Sequence, residues 1–172
     1  MIKLLGGILV ICGGGLAGLA VARRYARRPV ELRQLQSALQ MLETEITYAS
    51  TVLPEALDSV AGRCEQGVRT LFAAARDELL AMKGDTAAEA WQAALDRYYP
   101  ASSLNQGDLA ILRTLGGALG ISGGLDQAKH LRLTREHLQG QVARADLEAT
   151  GNVKLWSYMG FLGATAVVIL LY

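Results

Sequence analysis

The stretch LLGGILVICGGGLAGLAVA, residues 4–22, followed at once by Arg23-Arg24-Tyr25-Ala26-Arg27-Arg28, decides how the rest of the chain is read. Its nineteen residues carry no charge and no strongly polar group. At about 1.5 Å rise per residue, a helix of this length reaches roughly 28 Å, close to the hydrocarbon thickness of a bilayer. A small chain can hardly cover such a helix on every side, so a retained membrane span is expected rather than a buried core helix. A cleavable signal peptide is the rival, with Lys3 as a minimal basic start and Ala20-Val21-Ala22 resembling a cleavage site. The arginine block directly behind the apolar run resists translocation and argues against it. Arg23, Arg24, Arg27 and Arg28 therefore read as a topology collar that keeps the following residues in the cytoplasm and the N-terminus outside.

The other end of the chain matches. LWSYMGFLGATAVVILLY, residues 155–172, is a second uncharged run, with Trp156 and Tyr158 at its start and Tyr172 at its end, as an interfacial aromatic belt places them. Lys154 lies just upstream, on the cytoplasmic side in this topology. Both termini are then extracytoplasmic. Gly14-x-x-x-Gly18 is a small-xxx-small pair that lets another helix approach closely, and Gly160 and Gly163 are the corresponding candidates in the second span.

Composition agrees with apolar ends on an ordinary middle. The 172 residues are 51% hydrophobic, and Lys+Arg 17 nearly balances Asp+Glu 16, so no basic face for nucleic acid is expected. The collar instead suits anionic lipid headgroups. Cys12 and Cys64 fall in different compartments and do not pair, and Ile11 ahead of Cys12 does not suit a lipoprotein signal. His130 and His137 are two helical turns apart, about 10 Å, too far to share a metal.

The middle reads as helix throughout. Pro29 suits the first turn of a new helix, and Leu32, Leu35, Leu39, Leu42, Ile46 and Ala49 form an apolar stripe. Glu43 and Glu45 are two apart and point in different directions, so they make no catalytic pair. Leu53-Pro54 breaks that helix and begins a short one to about Arg63. Residues 68–82 place Val68, Leu71, Phe72, Ala75, Leu79 and Met82 together, and Thr86 with Glu89 forms a capping box for a helix from Ala87 to Tyr99 that Pro100 stops. A helix over 104–119 follows, then the loop Gly120-Ile121-Ser122-Gly123-Gly124. That loop lacks the Gly-Lys-Ser/Thr arrangement and the preceding strand of a phosphate loop. A long polar helix over 126–149 is weakened at Gly151-Asn152 before the second span. No segment alternates as a half-buried strand does. The expected organisation is all-α: a membrane helix over 1–22, a basic collar over 23–28, a cytoplasmic bundle of about six helices over 29–152 and a membrane helix over 153–172.

Several blocks together resemble the stage III sporulation protein AB family of spore-forming bacteria. They are Met1-Ile2-Lys3-Leu4-Leu5-Gly6, Ala22-Arg23-Arg24-Tyr25 with Arg28-Pro29, Arg33-Gln34-Leu35-Gln36-Ser37-Ala38-Leu39-Gln40 running into Leu42-Glu43-Thr44-Glu45-Ile46, and Pro54-Glu55-Ala56-Leu57. Leu115-Gly116-x-x-Leu119-Gly120, Gln127-x-Lys129-His130 and Gly160-Phe161-Leu162-Gly163 continue the match in the same order. The segment 28–46 is the most specific, while about 60–105 matches mainly in pattern. The resemblance implies a component of the complex in the mother-cell membrane around the forespore. It implies a bundle similar to the cytoplasmic domain of type II secretion and type IV pilus platform proteins. It also implies as partners the ATPase of that complex, stage III sporulation protein AA, and the other membrane components of the same complex.

The expected function is a non-enzymatic membrane platform that docks a cytoplasmic ATPase and couples it to the membrane channel. No catalytic, cofactor-binding or metal-binding residues are expected. Candidate partner contacts are the charges Arg33, Glu43, Glu45, Lys129, Arg132 and Arg135 on the first and last helices of the bundle, and a homo-oligomer is a further candidate assembly. A membrane-bound enzyme would need grouped nucleophile, base and acid residues, which no motif supplies. A two-span channel or transporter accessory subunit stays open as the alternative, although Ser157 and Thr165 are the few polar groups of the second span.

Overall fold

The protein is all-α in a computed structural model, with six helices and one 3-10 turn and no strand among the described residues. The structure describes the backbone of residues 2–49, 51–81, 86–120 and 124–171. Within those limits it describes side-chain surroundings for 19–151 and for Gly13, Leu16, Tyr158 and Met159. The helices are α1 (Ile2–Thr47), α2 (Leu53–Arg63), α3 (Gln66–Leu80), α4 (Ala87–Tyr98), α5 (Gln106–Gly116) and α6 (Gly124–Leu171), with the 3-10 turn Tyr99–Ala101 after α4. The chain divides into two compact units, Met1–Pro29 with Ala143–Tyr172, and Val30–Val142.

The second unit is the helical bundle. Leu32, Leu35, Leu39 and Leu42 of the expected stripe are wholly buried, together with Ala38. Fully burying a leucine contributes about 1.5–3 kcal/mol, so this row outweighs any weakness in local helix propensity. The stripe stops there, since Ile46 is half-buried and Ala49 exposed. α2 starts on Leu53-Pro54 as expected and buries Ala56, Leu57, Val60 and Ala61. α3 buries Val68, Leu71, Phe72 and Ala75. α4 is opened by the capping box: the Thr86 side chain accepts from the Glu89 N–H, and Glu89 accepts from the Thr86 N–H at 2.7 Å. A second box, Asn105 with Asp108, opens α5.

Trp91 anchors the middle of the bundle. Its indole Nε1–H donates to the Leu112 carbonyl at 2.7 Å, and its ring meets Phe72 edge to face at 5.7 Å. Gly116 lets α5 come this close, because a Cβ there would sit 2.8 Å from the Trp91 ring. Gly120 turns the chain with φ +77 and leaves no room for a Cβ against Ala87.

Pairings fix the direction of α6 within this unit. Gly124 lies against Ile46, and Arg132 and Arg135 meet Glu43, so the start of α6 runs antiparallel to α1. Gly120 lies against Leu53 and Ala87. The end of α1, the starts of α2 and α4 and the start of α6 therefore gather at one end of the bundle, while Val30 and Val142 lie at the other.

Three expectations change. Pro29 does not begin a helix; it is buried inside the continuous α1. The proline removes one intrahelical bond and crowds the preceding turn at a cost on the order of 3 kcal/mol, and the buried leucines that follow offset it. Likewise α6 continues through Gly151-Asn152. Glycine there costs only about 1 kcal/mol relative to alanine, too little to break a helix of this length. α5 also begins two residues later than expected, at Gln106, with Leu104 packed into the core ahead of it.

In the other unit, Ala22 and Ala145 are buried and Arg28 bonds Glu148 at 2.6 Å. Among the described residues no helix is long and apolar enough to cross a membrane. Most side chains of the apolar runs 4–22 and 155–172 lie outside the described residues, including the surroundings of Gly14, Gly18, Gly160 and Gly163.

Candidate functional site

The charged residues singled out on α1 and α6 come together on one side of the bundle. Gln36, Gln40 and Glu43 recur at helical spacing on α1, and Arg132 and Arg135 sit one turn apart on α6. One Glu43 oxygen accepts from Arg132 at 3.0 Å and the other from Arg135 at 2.9 Å. Arg135 also donates to the Gln40 side chain at 3.0 Å, and Gln36 donates to the Arg135 carbonyl at 3.0 Å. Glu43 is tucked in, its side chain 13% exposed, while Arg135 is at 28% and Arg132 at 69%. A groove of about 510 Å³ runs alongside, lined by Arg33, Ser37, Glu136 and Gln139 with Gln36, Gln40 and the two arginines of this network.

Glu43 thus bonds both Arg132 and Arg135 and joins α1 to α6, while Arg132 stays largely exposed. Glu45 is likewise occupied inside the chain. It faces α2, accepting from Ser59 at 2.8 Å and forming an ion pair with Arg63 at 3.5 Å. The two glutamates do point apart, as their spacing implies. Arg33 and Lys129 have exposed side chains. Of the collar, Arg23, Arg24 and Arg27 are exposed, whereas Arg28 is only 5% exposed and held by Glu148.

Some polar contacts had no sequence signal. The Tyr98 hydroxyl donates to Glu31, and the Ser103 N–H donates to the other oxygen of Glu31 at 2.7 Å. Burial, and secondarily the adjacent Glu31 carboxylate, pushes the Tyr98 phenol well above its ordinary range. Glu78 is buried on α3 and bonds Arg97 of α4. Each pair joins residues far apart in sequence, so no local pattern announces it. Cys64 is half-buried, and that burial raises its thiol above the usual value, with Arg69 acting weakly in the opposite sense. His130 and His137 are both exposed on α6. Among the described residues no group of three or more His, Cys, Asp or Glu is arranged to hold a metal ion.

Three exposed apolar groups lie toward the end of the bundle away from Val30 and Val142, while Val30 itself is 50% exposed and Leu133 41%. Tyr48 is 84% exposed, Val52 60% and Leu125 83%. The neighbouring Thr47 hydroxyl is buried without a hydrogen-bond partner in the structure. Large apolar side chains exposed at one end of a small bundle make that end a candidate interaction surface.

Comparison with known proteins gives a consistent answer. A curated relative from Bacillus subtilis (strain 168), stage III sporulation protein AB, is 36% identical over 172 residues and covers 99% of each chain. A solved structure of stage III sporulation protein AB (SpoIIIAB) superposes with a TM-score of 0.67 at 36% identity, covering 72% of this chain and 96% of that one. The family model for stage III sporulation protein AB matches residues 3–172, and the chain belongs to that family.

Proposed function

We propose that this chain is a non-enzymatic platform subunit of a sporulation complex, held in the mother-cell membrane by helices over 4–22 and 155–172. Its bundle would face the cytoplasm, with both termini outside. The arginines at 23, 24 and 27 would rest on anionic headgroups. Support for the membrane reading comes from the two uncharged runs and the basic collar. Membership of the stage III sporulation protein AB family supports the role in sporulation.

The observation that carries the docking role is the apolar end formed by Tyr48, Val52 and Leu125. A partner seated there would sit at the end of the bundle away from Val30 and Val142. The ATPase of the same complex, stage III sporulation protein AA, is the partner proposed, and the tightly clamped α1 and α6 would pass its position on to the membrane helices.

Co-purification tests this reading. The full chain, solubilised in mild non-ionic detergent, should retain the ATPase, and the Tyr48→Ser/Leu125→Ser double variant should lose most of it while keeping its thermal midpoint. ATPase never retained by the wild type, or retained equally by the variant, would count against the docking role.

A further inference from the structure

The bundle carries two charged triads of opposite sense on different helices. On the α1/α6 face, two arginines share one carboxylate: Glu43 lies inside, and Arg132 faces outward with 69% of its side chain exposed. On the α2/α3 face the order is inverted. Arg76 of α3 bonds both Asp58 of α2 and Asp77 of α3. Here the cation is the inner member, 29% exposed, while Asp58 and Asp77 are 60% and 62% exposed. The two aspartates hold the Arg76 guanidinium firmly in its charged form. The same order, an acid facing out over an inner cation, occurs at Arg28–Glu148; at Arg76 two exposed acids share the cation.

Shape runs in the same direction. The basic triad lies beside the 510 Å³ groove, whose walls are amide, hydroxyl and guanidinium groups with Glu136 as the one acid. Such walls suit a polar, negatively charged ridge and have little to offer an apolar peptide. On the α2/α3 pair Asp58 and Asp77 supply two exposed carboxylates, alongside the exposed Arg63 and Arg69, and they belong to the same chain.

We infer that copies of this chain associate laterally, the α2/α3 aspartates of one copy seating in the α1/α6 groove of the next. Asp58 and Asp77 meet outward N–H groups of Arg132, and the inner Glu43 and Arg76 hold each triad in place. A guanidinium has five donors, and Arg132 uses one on Glu43, so it can take a second carboxylate without giving up the first. The two faces share no residue. The contact is therefore heterologous and repeats from copy to copy, closing as a ring or extending as an array. Attraction between exposed charges is screened over about 8 Å at physiological salt, so the association is salt-sensitive. It stands independently of any ATPase docking at the apolar end.

The test is sedimentation velocity of the full chain in a neutral detergent, from about 20 mM to 500 mM salt. Wild type should sediment above the monomer at low salt and dissociate as salt rises. Arg132→Glu puts acid against acid and should raise the dissociation constant at least tenfold. Asp58→Arg with Asp77→Arg puts base against base and should do the same. An equimolar mixture of the two should associate again, because each copy then finds an opposite face on its neighbour. The triple variant carrying all three changes should also associate with itself. Asp77→Asn, which only removes a charge on an exposed side chain, serves if a reversal variant loses its unfolding midpoint, and should weaken association severalfold. A monomeric wild type at low salt overturns the inference. So does association that ignores salt and both reversals, which would place the contact in the apolar segments, or a mixture of folded variants that stays monomeric.

Discussion

If Glu43 is a clamp between α1 and α6, its two arginine partners should be energetically unequal. Both bonds are near 3 Å, so distance does not distinguish them. Burial does. The Glu43 side chain is 13% exposed and that of Arg135 28%, and Arg135 has a second acceptor in Gln40. A charge-assisted hydrogen bond in such surroundings contributes about 1.5–3 kcal/mol. Arg132 is 69% exposed, and pairs in that range give about 0.2–1 kcal/mol after screening and lost side-chain freedom. Glu43→Ala, Arg135→Ala, Arg132→Ala and the two double variants, unfolded with urea in detergent, form two double-mutant cycles. The Glu43–Arg135 coupling should be about 2 kcal/mol and the Glu43–Arg132 coupling about 0.5 kcal/mol. Raising the salt should shrink the second more than the first. Equal couplings, or two couplings near zero, would refute the clamp and return all three residues to the pool of open contact charges.

Other expectations follow from the core and from the long helices. Gly116→Ala forces a Cβ to within 2.8 Å of the buried Trp91 ring. The clash should outweigh the gain in helix propensity and lower stability by about 1–3 kcal/mol in the same urea assay, whereas Gly140→Ala, with open space around it, should be neutral or stabilising. Tyr98 has a folded-state pKa above its unfolded value near 10, so the fold favours the protonated phenol and this stability is complete below that pH. It should fall as pH rises above about 10, by up to roughly 1.4 kcal/mol per unit, and Tyr98→Phe should remove that part of the slope. A flexible insert of four glycines after Arg28 should abolish sporulation without detaching the protein from membranes, because α1 runs unbroken through Pro29. Normal sporulation with the insert would reduce residues 4–22 to a tether.

Much of the bundle is legible in the sequence because its signals are local. The leucine stripe of α1, the Leu53-Pro54 start of α2 and the Thr86/Glu89 box each act within a few residues, and each recurs in the structure. The Asn105/Asp108 box was equally available, as Asn-x-x-Asp ahead of an apolar run, and sequence reading passed over it. Pro29 and Gly151 mislead because a local penalty of a few kcal/mol weighs little in helices of 46 and 48 residues. The site is less legible. Spacing puts Glu43 and Arg132 on helix surfaces, but only packing brings residues 89 apart into one network. The same holds for Glu31 beneath Tyr98 and for the gathering of Tyr48, Val52 and Leu125 at one end. Periodicity tells which face of a helix is polar. It does not tell which other helix that face meets.

The central claim is a bundle suspended on the cytoplasmic side between two membrane helices, and topology mapping tests it most directly. Reporters that discriminate cytoplasm from exterior would be placed at the N-terminus, near residue 100 and after residue 172 of the full chain in membranes. The account predicts a cytoplasmic signal from the middle position alone and an exterior signal from both termini. A cytoplasmic signal from either terminus, or release of the chain from membranes by high salt, would contradict it.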